Sequence, residues 1–554
     1  MINNLKKQIL DVCLLLIGYF LFHNILFHSM RRLTEESFIN SPSLIIAGLN
    51  SISLILFTIF ILVLLLPRYK LFEWNNFDNI NIKYFIFILC FAIFWEASFL
   101  EMNYYYNYDF TIDKILLVIS AFLILKNGIF AFIFLLFSLL MFYSTQFPLG
   151  SMVWTGIRPA YEILMLFIVF MIVKRFRGVH TNIFILLAIT LHAANYFIPG
   201  IAKIEISPNG WEWTFKNELN NLFISSYVNG WIGFLSEELI ISIAQVLDKT
   251  EVLVTVGTMI IQLGALFLLY TKRISIVFFI GFELLHLGIF FASGIFFWAW
   301  IIVNLGFIYL VKKLPKESLE FLYSKQTFGV FIAVVLLSPL VYKPIALGWW
   351  DARVNTIYDF YATTENDEKI RLNRNDFSPY DTIFTQNRLY YLSDEKVATN
   401  TYGVIQRDEM LYGNLFSTLI NYVAKPILGR EPSQYKNDSY ELYLKLEEAR
   451  NIDDVKNITQ QYGINYFDEE KKENLREFVK TYFENYNKVE QKHSWYHKLG
   501  APYHIYDLSA KRLKGWERIK KVEVYKTNTW WNKKEGKIVR FGEEKVMEVE
   551  IETN

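Results

Sequence analysis

Lys203 closes an apolar, aromatic run, His192-Ala193-Ala194-Asn195-Tyr196-Phe197-Ile198-Pro199-Gly200-Ile201-Ala202-Lys203, and is followed by Glu205, Trp211 and Trp213. Two chemistries suit a lysine in that setting. Burial of an ammonium in apolar surroundings favours the neutral amine, which can act as a base. Alternatively, the stem lies along apolar surface and the ammonium reaches the lipid headgroups beside a tryptophan belt. Position alone leaves both readings open.

A second pair lies in Gly281-Phe282-Glu283-Leu284-Leu285-His286-Leu287-Gly288. Glu283 and His286 share a helical face, so the carboxylate could orient the imidazole or tune it for proton transfer. The plainer reading is a pair that hydrogen-bonds to a neighbouring helix. A Glu-x-x-His is also half of a carboxylate-bridged dimetal site, but the apolar runs hold no second copy, so no metal is expected. His192 precedes Lys203 by eleven residues on the same helical face, and a structural hydrogen bond is its simpler role. Glu283, His192, Tyr196 and Trp211 are candidates for supporting the site or binding substrate. Glu162, Asn195, Gln262 and Asn304 are further polar groups inside apolar runs, and each is a candidate because burial there is costly. Glu96, beside Trp95, calls for a cation on another helix. Beyond these runs, His493, His497 and His504 have a spacing that zinc could use, although the aromatic, Gly- and Pro-closed context favours a packed turn. The chain has no Gly-rich phosphate loop, nucleophile elbow or His-Glu-x-x-His.

The elements that must hold these groups follow from hydropathy. Of 554 residues, 53% are hydrophobic and 18% aromatic. The apolar residues gather into long runs up to residue 345, and charge and Asn dominate afterwards. This predicts a polytopic α-helical membrane domain, 1–345, and a soluble α+β domain, 346–554. The runs are Ile9–Phe27, Leu44–Leu66, Tyr84–Leu100, Ile115–Leu125, Ile129–Phe142, Ile163–Val173, Ile183–Ile201, Val252–Tyr270, Ile274–Phe291, Phe296–Leu310 and Phe328–Val341. Several are short for a span, giving about nine to eleven spans. Lys and Arg in alternate short loops place the N-terminus in the cytoplasm and the C-terminal domain outside it, with Arg31 and Arg32 as the exception. The Glu205–Lys249 segment, aromatic among charges, predicts amphipathic helices lying in the membrane interface. In the soluble domain, Ser439–Arg450 and Glu469–Tyr486 read as helices. Lys521–Tyr525, Ile538–Phe541 and Val546–Ile551 read as strands, with a turn at Lys533–Gly536. A net charge of +1 carries no nucleic-acid signal. Cys13 and Cys90 both lie in apolar runs, so the soluble domain has no disulfide. The start reads as a retained first helix, without a cleavage site.

Tyr196-Phe197-Ile198-Pro199-Gly200-Ile201-Ala202-Lys203, the tryptophan segment, Leu235-Ser236-Glu237-Glu238-Leu239, and then Glu283-Leu284-Leu285-His286-Leu287-Gly288-Ile289 with Gly294-Ile295-Phe296-Phe297 resemble one known family. It is the horizontally transferred transmembrane (HTTM) domain family, which includes vitamin K-dependent γ-carboxylase. The likeness covers roughly residues 1–345 and rests on the order and spacing of these segments. In that family the Tyr-Phe-x-x-Gly-x-x-Lys run carries the catalytic lysine, which Lys203 matches. A histidine of a later helix joins the site, the place His286 takes. The resemblance implies a membrane enzyme in which Lys203 deprotonates a reduced, vitamin K hydroquinone-like quinone. A strong base formed with oxygen then takes a proton from a peptide glutamate, and the carbanion captures carbon dioxide. His286 would hydrogen-bond an oxyanion or return a proton. Pro199 stands where the carboxylase has a small residue, and the C-terminal domain has no counterpart there.

Three readings follow. The first is the quinone-linked carboxylase or a related peptide-modifying enzyme. The second is a non-enzymatic membrane component for peptide export or maturation, as bacterial members linked to peptide toxins suggest. The third is a lipid-linked glycosyltransferase, for which Glu35 or Glu36 in the first outer loop would be the catalytic acid. The expected partners are the lipid bilayer and a peptide or small protein, with no nucleic acid.

Overall fold

The computed structural model describes residues 2–39, 41, 43–66, 73–149, 156–386, 388–405, 433–489, 513 and 517–553. Fifteen helices occupy the first part: α1 (Ile2–Met30), α2 (Leu44–Gly48), α3 (Ile52–Leu65), α4 (Asn81–Ala97), α5 (Thr111–Leu123), α6 (Phe130–Ser144), α7 (Arg158–Arg177), α8 (Thr181–Ile206), α9 (Glu212–Lys216), α10 (Leu219–Val228), α11 (Glu237–Gly264), α12 (Lys272–Ser293), α13 (Trp298–Lys313), α14 (Lys316–Leu322) and α15 (Lys325–Val341). Every predicted apolar run falls on a helix, and the run at Leu44–Leu66 is broken into α2 and α3. Side chains start the helices locally. Ser51, Ser236, Thr271 and Ser324 each accept a backbone N–H of the following turn. Among the described residues, four helices are long and apolar enough to cross a membrane: α1, α8, α11 with its short continuation, and α12. A fifth span results if α14 and α15, bent by 56°, are one. The others are too short or too charged to qualify on length and composition, so the chain has helices fit for a membrane, in smaller number than its apolar runs suggest.

α8 lies at the centre. Its apolar window is buried throughout, whereas those of α1, α11 and α12 keep most of their residues on the outside. Pro199 lies within it, yet the helix continues to Ile206. Proline removes one backbone donor, a cost that close packing on all sides can absorb. Gly200 makes one of those contacts possible, since a Cβ there would meet the Gln262 side chain at 3.1 Å, so α11 can lie close.

The second part is α+β, as expected. Strands β1 (Trp350–Asp351), β2 (Val354–Thr364), β3 (Lys369–Arg371), β4 (Val404–Ile405), β5 (Ile519–Asn532) and β6 (Lys537–Glu550) form two antiparallel sheets, β1-β4 and β3-β2-β5-β6. The helices α16 (Asp381–Gln386), α17 (Ser433–Glu448), α18 (Ile452–Tyr462) and α19 (Glu469–Lys488) accompany them. Two predicted helices thus become α17 and α19. The three predicted strands are two long ones joined at the predicted turn. The alternation breaks around Gly542 and Val546, where the β5–β6 register shifts.

The Glu205–Lys249 segment is helical, as expected, and one apolar face of it packs on protein. Trp213, Phe223, Ile224, Val228 and Ile240 are buried against Trp350, Ile357, Trp530 and Trp531 of the sheets. The first half of α11, which the apolar pattern left out of its span, is continuous with it. Arg540 reaches Glu237 at 3.1 Å, and Lys533 reaches Asp248, so this half stands beside the β5–β6 hairpin. Amphipathicity marks a face to be covered, and here protein covers it.

Candidate functional site

Lys203 is 6% exposed, which rules out an amine reaching into the headgroups. The segment after α15 crosses the end of α8 above it. Lys203 Nζ donates to Leu347 O at 3.0 Å and to Pro199 O at 3.4 Å. The indoles of Trp213 and Trp349 stand with centroids 5.0 and 5.8 Å from Nζ, within cation–π range. Trp213 Nε1 donates to Trp349 O at 2.8 Å, and Trp349 Nε1 to Asp351 Oδ1 at 3.0 Å. Gly348 is where this strap touches α8, since a Cβ there would lie 2.8 Å from Ala202 O. Asp351 is buried and accepts from Asn217 Nδ2 at 2.7 Å. Burial pushes its carboxyl up to about 6, against the Asn217 and Trp349 hydrogen bonds and the charge of Lys203. No hydrogen bond or ion pair joins Asp351 to Lys203 among the described residues.

The second group is built from α8, α12 and α13. His192 Nε2 and Asn304 Oδ1 are 2.5 Å apart, Asn304 Nδ2 donates to Tyr196 Oη at 3.1 Å, and Tyr196 Oη stands 3.5 Å from His286 Nδ1. Tyr196 stacks on Phe282 with centroids 3.6 Å apart, and Trp300 stands edge-on to both Tyr196 and His286. Glu283 and His286 do share a face of α12, but Tyr196 rather than the carboxylate contacts the imidazole. Glu283 Oε1, Trp300 Nε1 and His192 Nδ1 are buried without a partner.

His192, Tyr196 and Lys203 fall on one stripe of α8. Tyr196 and Lys203 are seven residues apart, a rise of roughly 10 Å. No hydrogen bond or ion pair links Lys203 to Glu283 or His286 among the described residues, so the stripe of α8 is what relates the two groups. Trp211 is 50% exposed, and the indoles on the amine are Trp213 and Trp349 instead.

Elsewhere, Glu162 is held by Arg158 Nε at 2.5 Å and by Asn195 Nδ2 at 3.1 Å. The cation expected for Glu96 is not found among the described residues. Glu35 accepts from Tyr105 Oη and Glu36 is exposed, so that loop presents no paired acid. His493, His497 and His504 lie outside the described residues. Asn304, Trp300, Trp349 and Asp351 were missed as partners of the site. Asn304 alone carried a signal, a polar group in an apolar run. No family model, curated protein or solved structure matches the chain.

Proposed function

We propose that this chain is an integral membrane enzyme of the HTTM type that modifies a peptide, with Lys203 as base and His286 as a proton-handling group. The favoured reaction is quinone-linked carboxylation of a glutamate side chain. The observation that carries the reading is the setting of Lys203. A neutral amine has two N–H groups and one lone pair. Leu347 O and Pro199 O take the two N–H groups, so the lone pair is left for a substrate proton. The proposed arrangement has nine to eleven crossings, some by helices shorter than a full span, with the N-terminus cytoplasmic and the sheets outside. It would let a peptide approach Lys203 from the outer face.

The residues fit a reduced quinone. Trp300 Nε1 and Glu283 Oε1 are unpartnered beside the Tyr196–His286 pair, and a flat ring bearing two oxygens could satisfy both. Trp300, Glu283 and His286 would hold it. A reduced quinone, when bound, supplies the reducing equivalents that turn oxygen into a base strong enough for a glutamate γ-carbon. Lys203 would accept a proton through its lone pair, while Trp213, Trp349 and the strap keep water from the amine. His286 would give a proton or hydrogen bond to an oxygen on which charge develops.

A second reading, a non-enzymatic component for peptide export or maturation, has support in the same contacts. Lys203 ties the strap to α8, as a structural latch would. Mass spectrometry of co-expressed candidate peptides separates the two. Wild type adds the mass of carbon dioxide to glutamate, and Lys203→Arg, which stays protonated, does not. Maturation without added mass, retained in Lys203→Arg, would replace the enzyme with the latch.

A further inference from the structure

We propose that Asn304 is a positioning residue that fixes the tautomer of His286 through Tyr196. The inference deepens the reading of His286 as a proton-handling group and rests on it. A primary amide has one accepting oxygen and one donating nitrogen, so its orientation gives a hydrogen-bond chain a direction. Asn304 sits between two such chains. On one side, His192 Nε2 lies 2.5 Å from Asn304 Oδ1, and a carbonyl cannot donate, so His192 carries its proton on Nε2. On the other, Asn304 Nδ2 donates to Tyr196 Oη at 3.1 Å. The phenol has accepted there, so its own hydrogen is free to point at His286 Nδ1, 3.5 Å away. An acceptor nitrogen bears no proton, so the proton of a neutral His286 is on Nε2, the edge turned away from Tyr196.

The opposite polarity would satisfy the same contacts among His192, Asn304, Tyr196 and His286. His192 decides between them. The turned amide would leave His192 with a buried Nδ1–H and no acceptor, since Nδ1 has no partner. Stranding a bare nitrogen lone pair is the lesser cost. Burial keeps water from scrambling the order: His192, Tyr196, Asn304 and His286 are all buried.

The test is nitrogen NMR of ¹⁵N-histidine-labelled full-length protein in lipid nanodiscs, with the His286 signals assigned by their loss in His286→Gln. Wild type should show an unprotonated Nδ1 and a protonated Nε2. Tyr196→Phe removes the donor to Nδ1, and Asn304→Asp makes the phenol donate to the new carboxylate. Either should leave His286 a mixture of tautomers, and the double variant should be no different from the single ones. A protonated Nδ1 in wild type, or an unchanged tautomer in Tyr196→Phe, would overturn the inference. Lys203→Arg should leave the His286 signals as in wild type. The spectrum therefore tests this inference independently of carboxylation, whose failure bears on the base alone.

Discussion

Two carbonyls and two indoles surround the Lys203 amine, so removing it disturbs packed protein rather than a membrane surface. Lys203→Ala should open a hole beneath Trp213 and Trp349 and cost about 2 kcal/mol, the low end for a buried truncation. Lys203→Met keeps most of the stem and should cost about 1 kcal/mol, the worth of the lost Leu347 hydrogen bond. Thermal unfolding in detergent measures both. If Lys203 is the base, both variants should also lose roughly 10²–10⁴-fold in rate. Asp351 adds a pH dependence. Its carboxyl sits at about 6 in the fold because of burial, against roughly 4 in the unfolded chain. A raised acid contributes stability that is full below about pH 4 and is lost as pH rises through about 6, on the order of 2–3 kcal/mol. Asp351→Asn should flatten the stability curve across that window, and an unchanged curve would mean that another group sets it.

The strap between α15 and β1 and the α9–α10 segment are the elements that enclose the amine. Gly348 lies against Ala202 O with no room for a Cβ. Gly348→Ala should therefore lift the strap and cost roughly 1–3 kcal/mol, as overpacking does. Hydrogen exchange at Leu347 and Trp349 should rise in step. α10 is tied to the hairpin in a similar way. Asn220 Nδ2 donates to Glu251 Oε2 at 3.0 Å, and its Oδ1 accepts from Trp531 Nε1 at 3.1 Å. Asn220→Ala strands a buried indole N–H and should cost about 1–3 kcal/mol, read from denaturant unfolding. Hydropathy located the helices well because burial requires apolar side chains whatever covers them. It did not foresee that the sheets cover part of Glu205–Lys249, because the same amphipathic pattern serves a bilayer surface and a sheet. It passed over β2 although Val354–Thr364 is rich in β-branched and aromatic residues, since no turn of known type frames that run.

At the scale of the molecule, residues 1–345 and the sheets share three apolar clusters, so the chain divides less cleanly in space than in composition. α9, α10 and the first half of α11 belong to the helical stretch in order and to the sheets in packing. Orientation is the property to test at this scale. Lys126 and Lys534 are both exposed, the first after α5 and the second in the β5–β6 turn. With the proposed topology, an impermeant thiol reagent should label Lys534→Cys in intact cells and Lys126→Cys only after lysis. The reverse pattern would put the sheets and the Lys203 strap in the cytoplasm and exclude a peptide arriving from outside. Glu447, packed near Glu218, also bears on the whole-molecule pH response. Burial pushes its carboxyl up even though Arg353 donates to it at 2.6 Å. Its sign matches that of Asp351, so the junction should loosen toward alkaline pH.

Residue order by itself determined that the first part is helical and apolar, that an α+β region follows, and that Lys203 and His192 share a face of one helix. Each is a local or compositional property, since periodicity and transfer free energy act on neighbouring residues. It also singled out Glu283 and His286 as groups too polar for their surroundings. Only the tertiary structure decided what these groups meet. It buried Lys203 under Trp349, brought up 146 residues later in the chain, and put Asn304 of α13 between His192 and Tyr196. Such partners arrive by packing between elements distant in sequence, and no spacing rule along one segment encodes them. The same holds for the number of spans, because a short apolar helix is completed by its neighbours or by protein beyond the bilayer, and hydropathy alone does not distinguish these.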